Sequence, residues 1–296
     1  MNNISKLISN RFWTLLVPYF SAGIFSLFFT FLLQYLGRGN VNLNNQLFGI
    51  LYGNGEWLVN IPVWFLVCLF CSQVVFCFTY KHIQRFNIFF QTLFYLLLGI
   101  IGFIISKIIY LPWGLDIALV SQLFLFIGYK FKEHKIIEKR VRLFSSFTIL
   151  LTVIFMISIL INPPVDMNTR EYNNIILFYL GGISGSILVL KCCVLISPVR
   201  SVVSALKYIG RDSLIILSFH FVFGFITVGL VYYLFFDKYP SWYINWIFSV
   251  LISLLIGVGI KKIPILNILF YGKKYEYSRF YNKKIRYKFI NFKRSV

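Results

Sequence analysis

Very few ionisable residues stand inside apolar stretches, where a charge is costly and each such group is a candidate for chemistry. His220 lies about seven residues into the run Leu214–Phe236, roughly 10 Å from its end at the rise of an α-helix. An imidazole changes charge near neutrality, so His220 suits proton transfer or acyl transfer, while a bond to a neighbouring carbonyl would give it a structural role only. Asp116 lies about a turn inside another run, in Leu111-Pro112-Trp113-Gly114-Leu115-Asp116. Its carboxylate could assist His220, or it could cap the helix that starts there. The other two histidines, His82 and His134, fall among Lys and Arg, where a solvated role is expected.

Fewer signals point to binding. Trp57, within a long Asn- and Gly-rich loop from Gly37 to Asn60, and Trp64, just after it, could stack on a carbohydrate, or the loop could be a plain connection. Arg211 and Ser213 stand at the start of the run that carries His220, with Asp212 and Ser213 expected as the N-cap. Cys68 and Cys71 lie three apart, and Cys192 and Cys193 are adjacent, without the His or acidic partners a zinc centre needs; no metal is expected. Gly181, Gly182, Gly185 and Ser186 put small residues four apart, which suits close helix packing rather than phosphate binding.

The elements that must position these residues are membrane helices. Hydrophobic residues make up 59% of the chain and charged ones 13%, against about 25% charged in a soluble domain. Apolar runs fall at Phe12–Leu36, Ile61–Tyr80, Ile88–Ile105, Leu115–Tyr129, Phe144–Ile161, Ile175–Ile196, Leu214–Phe236 and Tyr243–Gly259. Lipid offers no partner to backbone polar groups, so these runs are helices, and the expected fold is an all-α bundle with about eight spans. Alternate segments between the runs hold 25 Lys and Arg, and the others hold 4. By the positive-inside rule both termini are then cytoplasmic.

The excess of 29 basic over 9 acidic residues follows that alternation, so it argues for membrane topology and against nucleic acid as a partner. Residues 1–260 read as the bundle. Residues 261–296 read as a juxtamembrane tail in which basic and aromatic residues alternate, suited to membrane lipids. The first run is too long for a cleaved signal and lacks a small-x-small site, so it reads as a retained anchor.

Four stretches together resemble acyltransferase family 3, the integral membrane enzymes that O-acetylate O-antigens, capsules and other bacterial glycans. They are Asn10-Arg11-Phe12-Trp13-Thr14-Leu15-Leu16-Val17-Pro18-Tyr19-Phe20, Pro62-Val63-Trp64-Phe65-Leu66, Leu111-Pro112-Trp113 with Asp116 and Gly128, and Tyr208 to Ile216 through His220. The resemblance implies transfer of an acetyl group from cytoplasmic acetyl-CoA, with no bound cofactor, to a hydroxyl of a lipid-linked or surface glycan at a bacterial inner membrane. His220 and Asp116 would then be catalytic, and Trp64, Trp57, Arg211 and Ser213 would bind substrate. Family members usually have about ten spans, with a basic residue, ten intervening residues and a His in the first. That spacing is absent here, and Arg11–Phe20 resembles the start of the family's third helix. The resemblance thus implies that two helices are missing and that the chain acts only with a supplement. A non-enzymatic component of polysaccharide assembly, a transporter or a partner subunit, is the alternative.

Overall fold

The structure is a computed structural model that describes residues 4–35, 42–134 and 145–272. Among these residues every named element is helical, and the one β-bridge joins Asp166 to Glu171. Helix α1 (Ile4–Arg11) runs through a π-helical turn, Phe12–Leu16, into α2 (Val17–Tyr35). A short α3 (Leu43–Tyr52) precedes α4 (Trp64–Ile83), α5 (Ile88–Ile108), α6 (Leu115–Val120), α7 (Gln122–Glu133), α8 (Ser146–Ile161) and α9 (Ile175–Ile196). Then come α10 (Arg200–Arg211), α11 (Ser213–Phe219), a π-helical segment His220–Ile226, α12 (Thr227–Phe236), α13 (Trp242–Lys262) and α14 (Pro264–Tyr271).

Within the described residues each apolar run is helical, with the fourth, Leu115–Tyr129, divided at Ser121 between α6 and α7; Leu36 and Phe144, at the edges of two runs, lie outside the described residues. Among the described residues six helices are long and apolar enough to cross a bilayer: Ile4–Leu32, Ile61–Ile83, Ile88–Ile108, Ile175–Ile196, Ser213–Phe236 and Trp242–Lys262. The α6–α7 pair makes a seventh if counted as one span, but it bends by 59°. Helix α8 has 16 residues, about 24 Å of rise against a hydrocarbon core of about 30 Å. Asn42, Asn87, Ser145 and Asn174 start their helices as N-caps, each accepting from a backbone N–H of the first turn. Side chains such as Phe28, Leu160, Phe235 and Leu255 face outward, as a lipid-facing surface requires.

The bend between α6 and α7 has a local cause. Ser121 Oγ donates to the Ala118 carbonyl and to Ser72 Oγ, and Gln122 Nε2 donates to the carbonyls of Ala118 and Ser72. These polar side chains compete for backbone groups at the break and tie it to α4. Tyr179 of α9 donates to the Val120 carbonyl at 2.9 Å, passing over Gly99 of α5. The small residues of α9 pack as expected, Gly181 against Ser158 and Gly185 against Phe155.

Among the described residues a small buried cluster, Cys68, Cys71, Ile117 and Ala118, and two large ones hold the bundle. One gathers Tyr19, Leu58, Val63, Val67, Ile215, Phe219 and Phe270 from α2, the 55–63 loop, α4, α11 and α14. The other is aromatic, with Phe76, Tyr80, Tyr95, Phe126 and Tyr179 of α4, α5, α7 and α9. Helix α14 is thus part of the bundle, with Phe270 only 3% exposed. The rest of the basic tail, residues 273–296, lies outside the described residues.

Candidate active site

The segment carrying His220 departs from α-helical register. From His220 to Ile226 the backbone is π-helical, a wider form that is rare and recurs at functional sites. A π turn puts one extra residue into the helix and turns the following side chains about its axis. The bulge is held against α13 by Gly224, where a Cβ would lie 2.6 Å from Ser249 Cβ and 2.7 Å from Ser249 Cα. Only glycine allows that approach.

His220 is partly buried, and its Nδ1 lies 2.7 Å from the Ile216 carbonyl. A carbonyl only accepts, so Nδ1 carries the hydrogen and Nε2 of the neutral ring is the basic nitrogen. The carbonyl contact that would make His220 structural is therefore also the contact that orients it as a base. Two residues earlier, the Ser218 carbonyl accepts from Asn60 Nδ2 at 2.8 Å. Asn60 is 1% exposed and sits between two 3₁₀ turns, Gly55–Trp57 and Ile61–Val63. The loop before α4 therefore reaches into the bundle to the turn that precedes His220.

Asp116 is tied elsewhere. Arg170 Nε donates to its Oδ2 at 2.9 Å and Arg170 Nη2 to its Oδ1 at 3.4 Å, with Asp116 0% and Arg170 3% exposed. The guanidinium also lies 4.2 Å from the Tyr110 ring centre and donates to the Asn168 carbonyl at 2.6 Å. The cap expected of Asp116 is thus not made: helix α6 has no side-chain cap bond, because the carboxylate faces Arg170 instead. Arg170 adopts a left-handed backbone, φ 60°, a strain that the surrounding contacts must outweigh.

Around this pair three loops interlock. Tyr52 donates to the Tyr110 carbonyl, Trp113 Nε1 to the Leu51 carbonyl, and Tyr110 to the Thr169 carbonyl. Gly55 admits the Asn168 side chain so closely that a Cβ would meet its Oδ1 at 2.1 Å. Asn60 Oδ1, Asn168 Oδ1 and Tyr172 Oη are buried with no hydrogen-bond partner among the described residues. Burial, with Asp116 nearby, pushes the Tyr172 phenol above its ordinary range, so it stays protonated.

The remaining candidates occupy different places. Trp64 lines a cavity of about 190 Å³ between α4 and the α6–α7 break, with Cys68, Ser72, Ile117, Ser121 and Met167 among its walls. Trp57 packs instead on Phe48 and Tyr52, with ring centres 5.3 and 5.5 Å away. Arg211 and Ser213 are exposed at the opposite end, where Arg211 lies over the Tyr208 ring. The N-cap expected of Asp212 is not formed either: its carboxylate takes Lys261 Nζ at 2.6 Å and the Tyr271 hydroxyl at 3.0 Å. Those long-range partners hold α13 and α14 to the start of α11. No described hydrogen bond or ion pair joins His220 to Asp116.

The model of the acyltransferase domain called acyltransferase 3 matches residues 2–262. The chain belongs to acyltransferase family 3. No curated protein and no solved structure matches it. The match spans both ends of the bundle, so the acyltransferase holds His220 with its π turn, the Asp116–Arg170 pair and the Asp212–Lys261 pair within one family domain. Sequence reasoning missed Arg170, Asn60 and Lys261 as partners. Arg170 did carry a signal, as the lone cation of its loop, but nothing in the sequence says which carboxylate it meets 54 residues away.

Proposed function

We propose that this membrane acyltransferase transfers an acetyl group from acetyl-CoA to a hydroxyl of a lipid-linked or surface glycan, in the inner membrane of a bacterium. The observation that carries the reading is His220: it lies partly buried well inside the span Ser213–Phe236, whereas His82 stands exposed in the last turn of Ile61–Ile83 and His134 exposed at the end of α7, and its Nδ1 bond leaves Nε2 as the base. In the proposed step Nε2 takes the proton of the acceptor hydroxyl as that oxygen attacks the thioester carbonyl carbon. The C–S bond then breaks, and the CoA sulfur leaves with the proton returned from Nε2–H.

The topology that serves this reaction has both termini in the cytoplasm and eight spans, with α6–α7 and α8 completing the six long helices. The unpartnered oxygens of Asn60, Asn168 and Tyr172 support a hydroxyl-rich acceptor at the cation-poor end, beside Asp116–Arg170 and Trp64. Charges of Arg211 and the basic end suit the phosphates of the donor. Deleting the gene should remove an acetyl ester from a surface glycan, read by mass spectrometry of the isolated polysaccharide. An unchanged ester content in the deletion strain would refute the assignment.

A further inference from the structure

Helix α10 contributes Arg211 to the proposed donor contact, and the rest of its residues are sorted with unusual regularity. At about 100° per residue, Arg200, Lys207 and Arg211 fall within about 40° of one another on one side. Val202, Ala205, Leu206 and Ile209 occupy about 100° on the other side. All seven are exposed, with Val202 at 41%, Leu206 at 53% and Ile209 at 39%, and no residue of α10 is buried.

The position of α10 in the chain restricts what can cover that apolar face. It follows α9, which is 22 residues long and ends at Ile196, and it precedes the span Ser213–Phe236, joined to it through Asp212. Both neighbours cross the membrane, so both ends of α10 start from a bilayer surface. The helix is about 18 Å long and carries three cations, so it cannot enter the hydrocarbon lengthwise. Pro198 and Val199 break the chain after α9, and Val199 stands outside helical geometry, so α10 takes a new direction there. Asp212 is anchored from below by Lys261 and Tyr271, which fixes the other end at the same surface.

We propose that α10 is an interfacial helix that seats Val202, Leu206 and Ile209 among the lipid acyl chains and holds anionic phospholipid headgroups with Arg200, Lys207 and Arg211. An amphipathic helix with cations on its polar face binds a bilayer by apolar burial together with attraction to anionic lipid. The surface lies outside the Asp116 and His220 sites and shares only Arg211 with the proposed donor contact; it stands on the two faces of α10, and the inference does not depend on the acyl-transfer reading.

The test uses the full chain in liposomes, with the exposed Cys192 and Cys193 replaced by alanine. Nitroxide labels go on Leu206→Cys or, as a second site on the same face, Val202→Cys. Ser204→Cys, about 160° around the helix from residue 206, carries the polar-face label. With phosphatidylglycerol and phosphatidylcholine mixed, the labels at 206 and 202 should meet dissolved oxygen more than a water-soluble nickel chelate, and the label at 204 the reverse. In pure phosphatidylcholine the contrast should shrink, and Gln at positions 200, 207 and 211 should remove the dependence on phosphatidylglycerol. Nickel-dominated exposure at every site would overturn the proposal. So would labels at 206 and 202 shielded from both probes, which would mean that protein covers the face. A contrast indifferent to phosphatidylglycerol would overturn the headgroup assignment.

Discussion

Replacing Arg170 by methionine keeps most of the side chain's length and removes its charge. Asp116 is 0% exposed and has Arg170 on both oxygens, so in Arg170→Met the carboxylate has neither water nor a cation. Breaking a buried pair from one side costs about 3–5 kcal/mol. Loss of the stacking on Tyr110 adds about 0.5–2 kcal/mol. Asp116→Leu should cost a similar amount, because it strands the guanidinium. The double variant strands no charge, and apolar replacement of a whole pair is often neutral. It should therefore be more stable than the sum of the singles predicts, by about 3 kcal/mol or more. Unfolding of the purified protein in mixed micelles, followed by the fluorescence of its six tryptophans, measures all four corners of the cycle. Single variants each within about 1 kcal/mol of wild type, adding in the double, would refute the reasoning.

Other consequences follow from contacts described above. Gly224→Ala puts a Cβ onto Ser249 and should destabilise by about 1–3 kcal/mol and lower acyl transfer, with Ser249→Gly recovering part of the loss in the same unfolding and transfer assays. Asn60→Ala removes the amide from the Ser218 carbonyl and should cost about 1–3 kcal/mol, while a surface substitution such as Ser204→Ala should change stability little. Reporter domains fused after Tyr110, Pro163 and Lys238 should read the periplasm and those after Glu133 and Ser201 the cytoplasm, and a cytoplasmic signal at Pro163 would contradict eight spans.

What the sequence disclosed, and what it did not, divides along physical lines. Hydropathy is a property of each segment by itself, so all eight runs could be placed, and the family resemblance is matched over residues 2–262. The 59° bend was hidden because Ser121 and Gln122 look like ordinary helix residues until Ser72 of another helix takes their hydrogen bonds. The π register at His220 was hidden because His220–Ile226 has the composition of any membrane helix, and the extra residue is accommodated only where Gly224 meets Ser249. Asp116 and Asp212 were legible as unusual residues, since a carboxylate in such surroundings needs a reason. Local reasoning offered Asp116 either a helix cap or a part in catalysis, and Asp212 a helix cap. Arg170 and Lys261, 54 and 49 residues distant, outcompete the backbone N–H groups because a full positive charge stabilises a buried carboxylate more than a helix end does.

The proposed reaction rests on one nitrogen, and it can be examined in cells that lack the gene and receive it back as wild type or as His220→Ala, with the acetyl ester on the surface glycan and the membrane level of the protein measured together. General-base catalysis contributes about 10²- to 10⁴-fold. The account predicts that wild type restores the ester and that His220→Ala, present in the membrane at a similar level, leaves it at least about 100-fold lower. An ester restored by His220→Ala to within a few-fold of wild type would contradict it and return His220 to a structural role.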